Sequence, residues 1–140
     1  MLNSDFLFDA FLSYAQPDRA AVVRLYEHFK GVGIRAFMDV RNIRPGEEWR
    51  FRIESALRHS RLALICLSGR VVTRDGYFQD EILQALEIAR TKVQGEVFLI
   101  PVRLDDCPVP DRLAAYQWVD CWRGAGIVRL IRQIQSLRGL

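Results

Sequence analysis

Long hydrophobic runs are missing from this chain of 140 residues. No stretch approaches the ~20 consecutive apolar residues that a membrane-spanning helix needs, so no membrane partner is expected. The opening residues, Met1-Leu-Asn-Ser-Asp-Phe6, show no basic segment followed by an apolar run and a small-residue cleavage site, so no secretory leader is expected either. Cysteine is scarce. Cys66, Cys107 and Cys121 are odd in number, and no two have C-x-x-C spacing. That argues against a disulfide framework and against zinc, and for a reducing, cytoplasmic compartment, with Cys66 a buried free thiol inside an apolar run. Histidine is scarcer still: His28 and His59 lie far apart in helical patterns without ligand partners, so no metal is expected. Lysine is limited to Lys30 and Lys92. The net charge of +3 therefore comes from scattered arginines. Nucleic-acid binding calls for a stripe of cations with interleaved aromatics, and none is found.

Several catalytic signatures are also absent. There is no G-x-x-x-x-G-K-[ST], which excludes a P-loop nucleotide hydrolase. Gly31-Val-Gly33 follows a helical pattern rather than a strand, so it reads as a turn and not as a dinucleotide fingerprint. Ser13 and Ser68 sit at strand ends with no histidine beside them, which leaves a serine nucleophile without a base. A phosphoacceptor receiver domain needs an Asp pair ending its first strand and an Asp ending its third. Those ends read Leu-Ser-Tyr14 and Cys-Leu-Ser68.

What the chain does have is a regular alternation of strand and helix signals. Strand patterns are read at Phe6–Tyr14, Ile34–Met38, Arg61–Leu67, Glu96–Val102 and Tyr116–Val119. Pro17 and Asp18 open the first helix, whose stripe is Val22, Leu25, Tyr26 and Phe29, and Gly31-Val-Gly33 ends it. A second helical segment places Trp49, Ile53, Ala56 and Leu57 on one face, and the last places Ile127, Leu130, Ile131, Ile134 and Leu137 inward. Five strand–helix alternations over residues 6–137 predict one α/β domain spanning 1–140. The expected architecture is flavodoxin-like: three layers, with a five-stranded parallel sheet in the order 2-1-3-4-5. Such folds bind ligands at the carboxyl ends of the strands, where the order reverses between the first and third. The segments expected at that edge are residues 14–18, 39–47 and 68–81.

The last of these contains the most informative stretch, Gly76-Tyr-Phe-Gln-Asp-Glu81-Ile-Leu-Gln-Ala-Leu-Glu87. As a helix it aligns Phe78, Ile82, Ala85, Leu86, Ala89 and Val93 in a buried stripe, with Asp80 and Glu87 on the opposite face. Glu81 falls on the flank of the stripe, one turn after Tyr77. Two readings of it stay open at this point: a carboxylate at the wall of a cleft, or a solvated acid favoured by the positive end of the helix.

Four segments carry a family resemblance. Phe8-Asp-Ala-Phe-Leu-Ser-Tyr14 resembles the first box of the TIR (Toll/interleukin-1 receptor) domain, and residues 33–46, ending Arg-Pro-Gly46, resemble its second box with the BB loop. Ser60–Ser68 is similar to the third-strand segment. Gly76-Tyr-Phe-Gln-Asp-Glu81-Ile is similar to the Trp-Cys-x-x-Glu segment of the third helix, with Tyr77 in place of Trp and Phe78 in place of Cys. The resemblance implies one of two roles. NAD⁺-cleaving members break the nicotinamide–ribose bond and use the third-helix Glu, which is matched by Glu81. Scaffolding members assemble with other TIR domains and catalyse nothing. For the first class, the implied pocket residues are Tyr14, Asp39 and Tyr77, with Trp49 and Arg44 as further substrate contacts. The loop bearing Arg44, Pro45 and Gly46 is implied to be the self-association surface. It is read as a polar segment that opens and closes readily, in homotypic assemblies that extend to filaments. NAD⁺ is then the substrate, and no cofactor is implied. The expected setting is a bacterial antiphage effector in which this domain, the N-terminal part of a longer protein, is joined to a sensor.

Overall fold

The two longest apolar runs become the middle of the sheet. The computed structural model describes residues 6–38, 44–73, 80–93 and 95–138, with backbone only for Asp80 and Glu81. In it β1 (Phe8–Ser13) and β3 (Ser60–Leu67) pair in parallel from Phe8 opposite Ser60 to Ser13 opposite Ile65. A two-residue β2 (Ala36–Phe37) flanks β1, while β4 (Leu99–Arg103) and β5 (Val119–Asp120) extend the other side, all parallel. The order β2-β1-β3-β4-β5 is the one expected from the alternation of elements.

Although β1 and β3 look uniformly apolar in sequence, their period of two divides the core into two layers. Ala10 and Leu12 of β1 and Leu62, Leu64 and Cys66 of β3 face α1 (Arg19–Gly31) and α5 (Gly124–Leu137). They pack there with Val22, Leu25, Phe29, Leu130 and Ile134. The intervening residues Phe11, Ala63, Ile65 and Leu67 face α2 (Trp49–Arg58), α3 (Gly69–Val72) and α4 (Asp80–Arg90), and pack with Ala56, Leu57, Val71, Ile82 and Ala85. Helices therefore cover both sides, which is why neither strand shows a polar face. No helix among the described residues is long and apolar enough to cross a membrane.

Two contacts close the ends of this arrangement. Asp9, almost fully buried at the start of β1, accepts the backbone N–H of Arg35 at 2.8 Å and faces the guanidinium groups of Arg35 and Arg138, each at 3.4 Å. It clamps the entry to β2 and the end of α5 to the first strand. At the other end of α5 the helix meets β5 through Gly126, where a Cβ would stand 1.7 Å from the carbonyl oxygen of Asp120. Only glycine allows that approach. Gly126→Ala is expected to force the helix off the sheet and to cost about 3 kcal/mol, read as a lower denaturation midpoint; a midpoint equal to the parent's would show that α5 shifts without penalty.

Some elements differ from the sequence reading. β5 begins three residues later than the Tyr116–Val119 pattern and shares only Val119 with it, because its position is fixed by pairing with Val102 and Arg103 of β4. Val93, expected in the stripe of the Glu81 helix, is 76% exposed because that helix ends at Arg90. Trp49, aligned in sequence with Ala56 and Leu57, is 57% exposed, so it does not anchor α2 in the core. The short α3 (Gly69–Val72) had no counterpart in the sequence reading.

Candidate functional site

All five strands point their carboxyl ends to one edge, and the chain turns to opposite sides of the sheet after β1 and after β3. In open α/β sheets such a divergence, here at the β1/β3 boundary, is where ligands bind. Tyr14, Asp18 and Ser68 lie at this edge by register, since Ser13 and Leu67 are the last residues of their strands. α4 follows β3 through α3 and runs back beside β4, so its amino terminus is at the same edge. Glu81 is the second residue of α4. Near the start of a helix, unpaired backbone N–H groups and the helix dipole favour a negative charge. Asp39 and Tyr77 lie outside the described residues, as does the side chain of Glu81.

The described neighbours fall into two groups. Tyr14 is buried in the α1-side core, and its hydroxyl accepts a hydrogen bond from Arg19 Nη1 at 3.0 Å. Arg44, Pro45 and Gly46 are exposed and form a closed turn. The Glu47 amide donates to the Arg44 carbonyl at 3.1 Å, and the Arg44 amide donates to Glu47 Oε1 at 2.6 Å. Gly46 takes φ +92°, which suits the third position of a turn led by proline. Glu47 also pairs with Arg52 Nε at 3.6 Å, and the Arg52 guanidinium lies over the rings of Phe8 and Phe37. Just beyond the turn, Trp49 carries Arg50 over its ring at 5.3 Å, and Phe51 is 70% exposed.

The structure adds bonds at this edge that sequence reasoning did not anticipate. Asp18 had been read as a first-turn residue of the first helix, but its side chain makes no cap bond there. It is 1% exposed and accepts the hydroxyl of Ser68, fifty positions on, at 2.7 Å, with Arg70 Nε at 3.4 Å. Its other oxygen, Oδ2, and the buried Ser13 Oγ have no hydrogen-bond partner among the described residues. Asp105, from the connection after β4, accepts the Gly69 amide on both carboxylate oxygens, at 3.0 and 3.2 Å. No local pattern announces these bonds, because each joins elements far apart in sequence.

Arg103 at the end of β4 grips Asp120 in β5 with two parallel bonds, Nε–Oδ1 at 2.6 Å and Nη2–Oδ2 at 2.9 Å. This hydrogen bond holds the Asp120 carboxyl below its ordinary value of 3.8 and raises the Arg103 guanidinium. A folded-state pKa below the unfolded one gives stability that is complete above 3.8 and fades as pH drops toward the folded value. Asp120→Asn is therefore expected to cost about 1–2 kcal/mol at neutral pH. The gap in melting temperature from the parent should stay constant above about pH 5 and close below about pH 4. An equal gap at pH 3 and pH 7 would assign the effect to packing instead. The three thiols are poor nucleophiles: burial raises Cys66 and holds Cys107 near about 11 and Cys121 near about 12.

A cleft of about 780 Å³ opens elsewhere, at the amino ends of β4 and β5, walled by Phe98, Tyr116, Trp118 and by Arg129 and Arg132 of α5. It contains none of the residues expected to bind substrate, and it lies at the opposite edge of the sheet from Glu81.

Comparison with known proteins agrees with the architecture. The family model described as TIR domain matches residues 10–133. The curated protein y4cD of Sinorhizobium fredii, named uncharacterized, is 33% identical over 106 residues; the match covers 74% of this chain and 16% of that protein. The chain thus spans about a sixth of the length of that relative. Among solved structures, the TIR domain of the Toll-related receptor TRR-2 from Hydra magnipapillata superposes with a TM-score of 0.71 at 23% identity, covering 91% of this chain and 98% of that one. A metazoan TIR-STING receptor from C. gigas, in complex with 2',3'-cGAMP, gives 0.74 at 18% identity, covering 99% of this chain and 41% of the other.

Proposed function

The chain belongs to the TIR domain family, and from that premise we propose that it cleaves the nicotinamide–ribose bond of NAD⁺, with Glu81 as the catalytic residue. The observation that carries this reading is the place of Glu81. It is an acid in the first turn of α4, at the sheet edge where the strand order reverses. Nicotinamide leaves NAD⁺ as a neutral molecule from a cationic glycoside, so no general acid has to protonate it. What needs stabilising is the oxocarbenium-like ribose. One carboxylate that binds the ribose hydroxyls beside the developing positive charge supplies this. Tyr77 stacks against the substrate, Asp39 and Tyr14 line the pocket, and Arg44 and Trp49 meet the substrate from the BB-loop side. The products are nicotinamide and either ADP-ribose, where water captures the ribose, or a cyclic ADP-ribose isomer, one water lighter, where the adenine does.

In this reading the domain is one module of a longer cytoplasmic effector in bacterial antiphage defence, switched on by a fused or associated sensor through homotypic assembly. The small share of the y4cD protein that the match spans supports a multi-module setting. A non-catalytic interaction module is the second reading, favoured by the exposed Trp49 and Phe51 beside the Arg44–Glu47 turn. Incubation of the concentrated domain with NAD⁺, followed by chromatography, separates the two. Release of nicotinamide supports the enzyme; unchanged NAD⁺ at every enzyme concentration supports the interaction module.

A further inference from the structure

We propose that Asp18 is a positioning residue, which fixes the placement of α4, and hence of Glu81, by way of Ser68 and α3. The inference rests on the NAD⁺-cleaving reading of Glu81 for its functional consequence, but on hydrogen bonds and packing for its geometry. Ser68 is the residue that would ordinarily cap α3 with its own side chain. It makes no such bond, because its hydroxyl is given to Asp18. Asp18 in turn makes no cap bond to α1. Two residues suited to local capping are thus spent on one bond between the exit of β1 and the exit of β3. Arg70 adds a second link from α3 to the same carboxylate. The missing cap of α3 comes from a third element, since Asp105 after β4 accepts the Gly69 amide on both oxygens.

The start of α3 is therefore held from both neighbouring strand exits, by Asp18 on the β1 side and Asp105 on the β4 side. Below it, Val71 is buried in the same cluster as Ile82 and Ala85 of α4. A shift of α3 would be felt by α4 through that shared packing, because close-packed interiors transmit small displacements. Asp18 is fully buried and works through another residue, which makes its role positioning rather than catalytic. A misplacement of about 1 Å at a reacting group is enough to reduce turnover by orders of magnitude while substrate still binds.

The test measures NAD⁺ turnover of the 140-residue chain for Asp18→Ala, Asp18→Asn, Ser68→Ala and the Asp18→Ala/Ser68→Ala pair, well below each melting point. Asp18→Ala and Ser68→Ala are expected to lower kcat about 10-fold with KM unchanged. Asp18→Asn should stay within about 2-fold of the parent, because its amide oxygen still accepts from Ser68. The double variant should be no worse than Asp18→Ala alone, since both changes remove one bond. Parent-like kcat in both single variants, additive losses in the pair, or a raised KM at parent kcat would each overturn the proposal. Hydrogen exchange supplies a readout independent of activity. Amides in the first two turns of α4 should exchange faster in Asp18→Ala while β1 and β3 stay protected, and unchanged exchange in α4 overturns the idea. A parent without activity but with this exchange response would sink the NAD⁺ reading alone and leave Asp18 as the residue that places α4. Should Asp18→Ala fail to fold, Ser68→Ala, which leaves the carboxylate in place, carries both readouts.

Discussion

Glu81→Gln is expected to lower NAD⁺ cleavage by about 10²–10³-fold, the usual effect of removing one preorganised electrostatic contact to a transition state. Glutamine keeps the size of the side chain and its hydrogen-bonding reach, and removes only the charge that the proposed mechanism sets against the ribosyl cation. The loss should appear in kcat, because the interaction strengthens only as the bond breaks. Folding should hardly notice. The side chain leaves the first turn of α4 one charge poorer, which costs no more than about 0.3–1 kcal/mol of dipole interaction. Glu87→Gln is the control. Glu87 is on the exposed face of α4, paired with Arg90 at 2.8 Å, and an exposed pair at this spacing contributes little. Its activity should match the parent's. A Glu81→Gln protein that cleaves NAD⁺ as fast as the parent would withdraw the catalytic role, and one that no longer folds would make Glu81 a structural acid.

The parts of this molecule that were legible in the sequence are those set by local period and by chain order. β1 and β3 were readable because apolar runs of six to eight residues are too short for buried helices and fit strands covered on both sides. The α5 stripe was readable because Leu130 and Ile134 repeat at helical spacing and are buried as expected. The sheet order followed from the alternation of elements, and with it the edge at which Glu81 lies.

Several of the features that were not legible share one cause: the deciding partner lies far away in the chain. β5 is placed by Val102 and Arg103 of β4, and α3 is capped by Asp105, thirty-six residues beyond Gly69. Asp18 does open the first helix, as the residue that precedes α1, but its side chain goes to a partner fifty residues away rather than to the helix. Trp49 matched the period of α2, but the first turn of that helix extends beyond the apolar layer that buries Ala56 and Leu57. Periodicity names a face; it does not say where the core under that face stops. Of the BB loop, read as a polar segment that opens and closes readily, only residues 44–47 are described, and they form a closed turn linked to α2 through Arg52.

That closed turn bears on the last expectation, that specific activity rises with enzyme concentration. Arg44, Pro45 and Gly46 protrude with Trp49 and Phe51 exposed beside them, a preformed surface that a second copy can cover at little ordering cost. A contact between this surface and a different face of the next copy repeats head to tail, and such contacts build filaments when they do not close into a ring. Because the turn is already formed in the single chain, a neighbour does not gain by ordering it. The gain must come from selecting the competent arrangement of the rest of the site. If that arrangement is populated at about 1% in the free domain, full assembly raises specific activity about 100-fold. Turnover per molecule measured from dilute to concentrated enzyme, or after fusion to an oligomerising partner, reads this directly. Gly46→Arg should abolish most of the rise, for two separable reasons. The position has room for a side chain, but its φ of +92° is unfavourable to any residue with a Cβ by about 1–2 kcal/mol, and arginine adds bulk and charge at the contact. Gly46→Ala carries the strain without the bulk, so the difference between the two variants isolates the contact itself. Pro45→Ala loosens the turn and should blunt the rise more mildly. Specific activity that stays flat over the whole concentration range would mean that a single copy holds a complete site, and the role assigned to the loop would have to be given up.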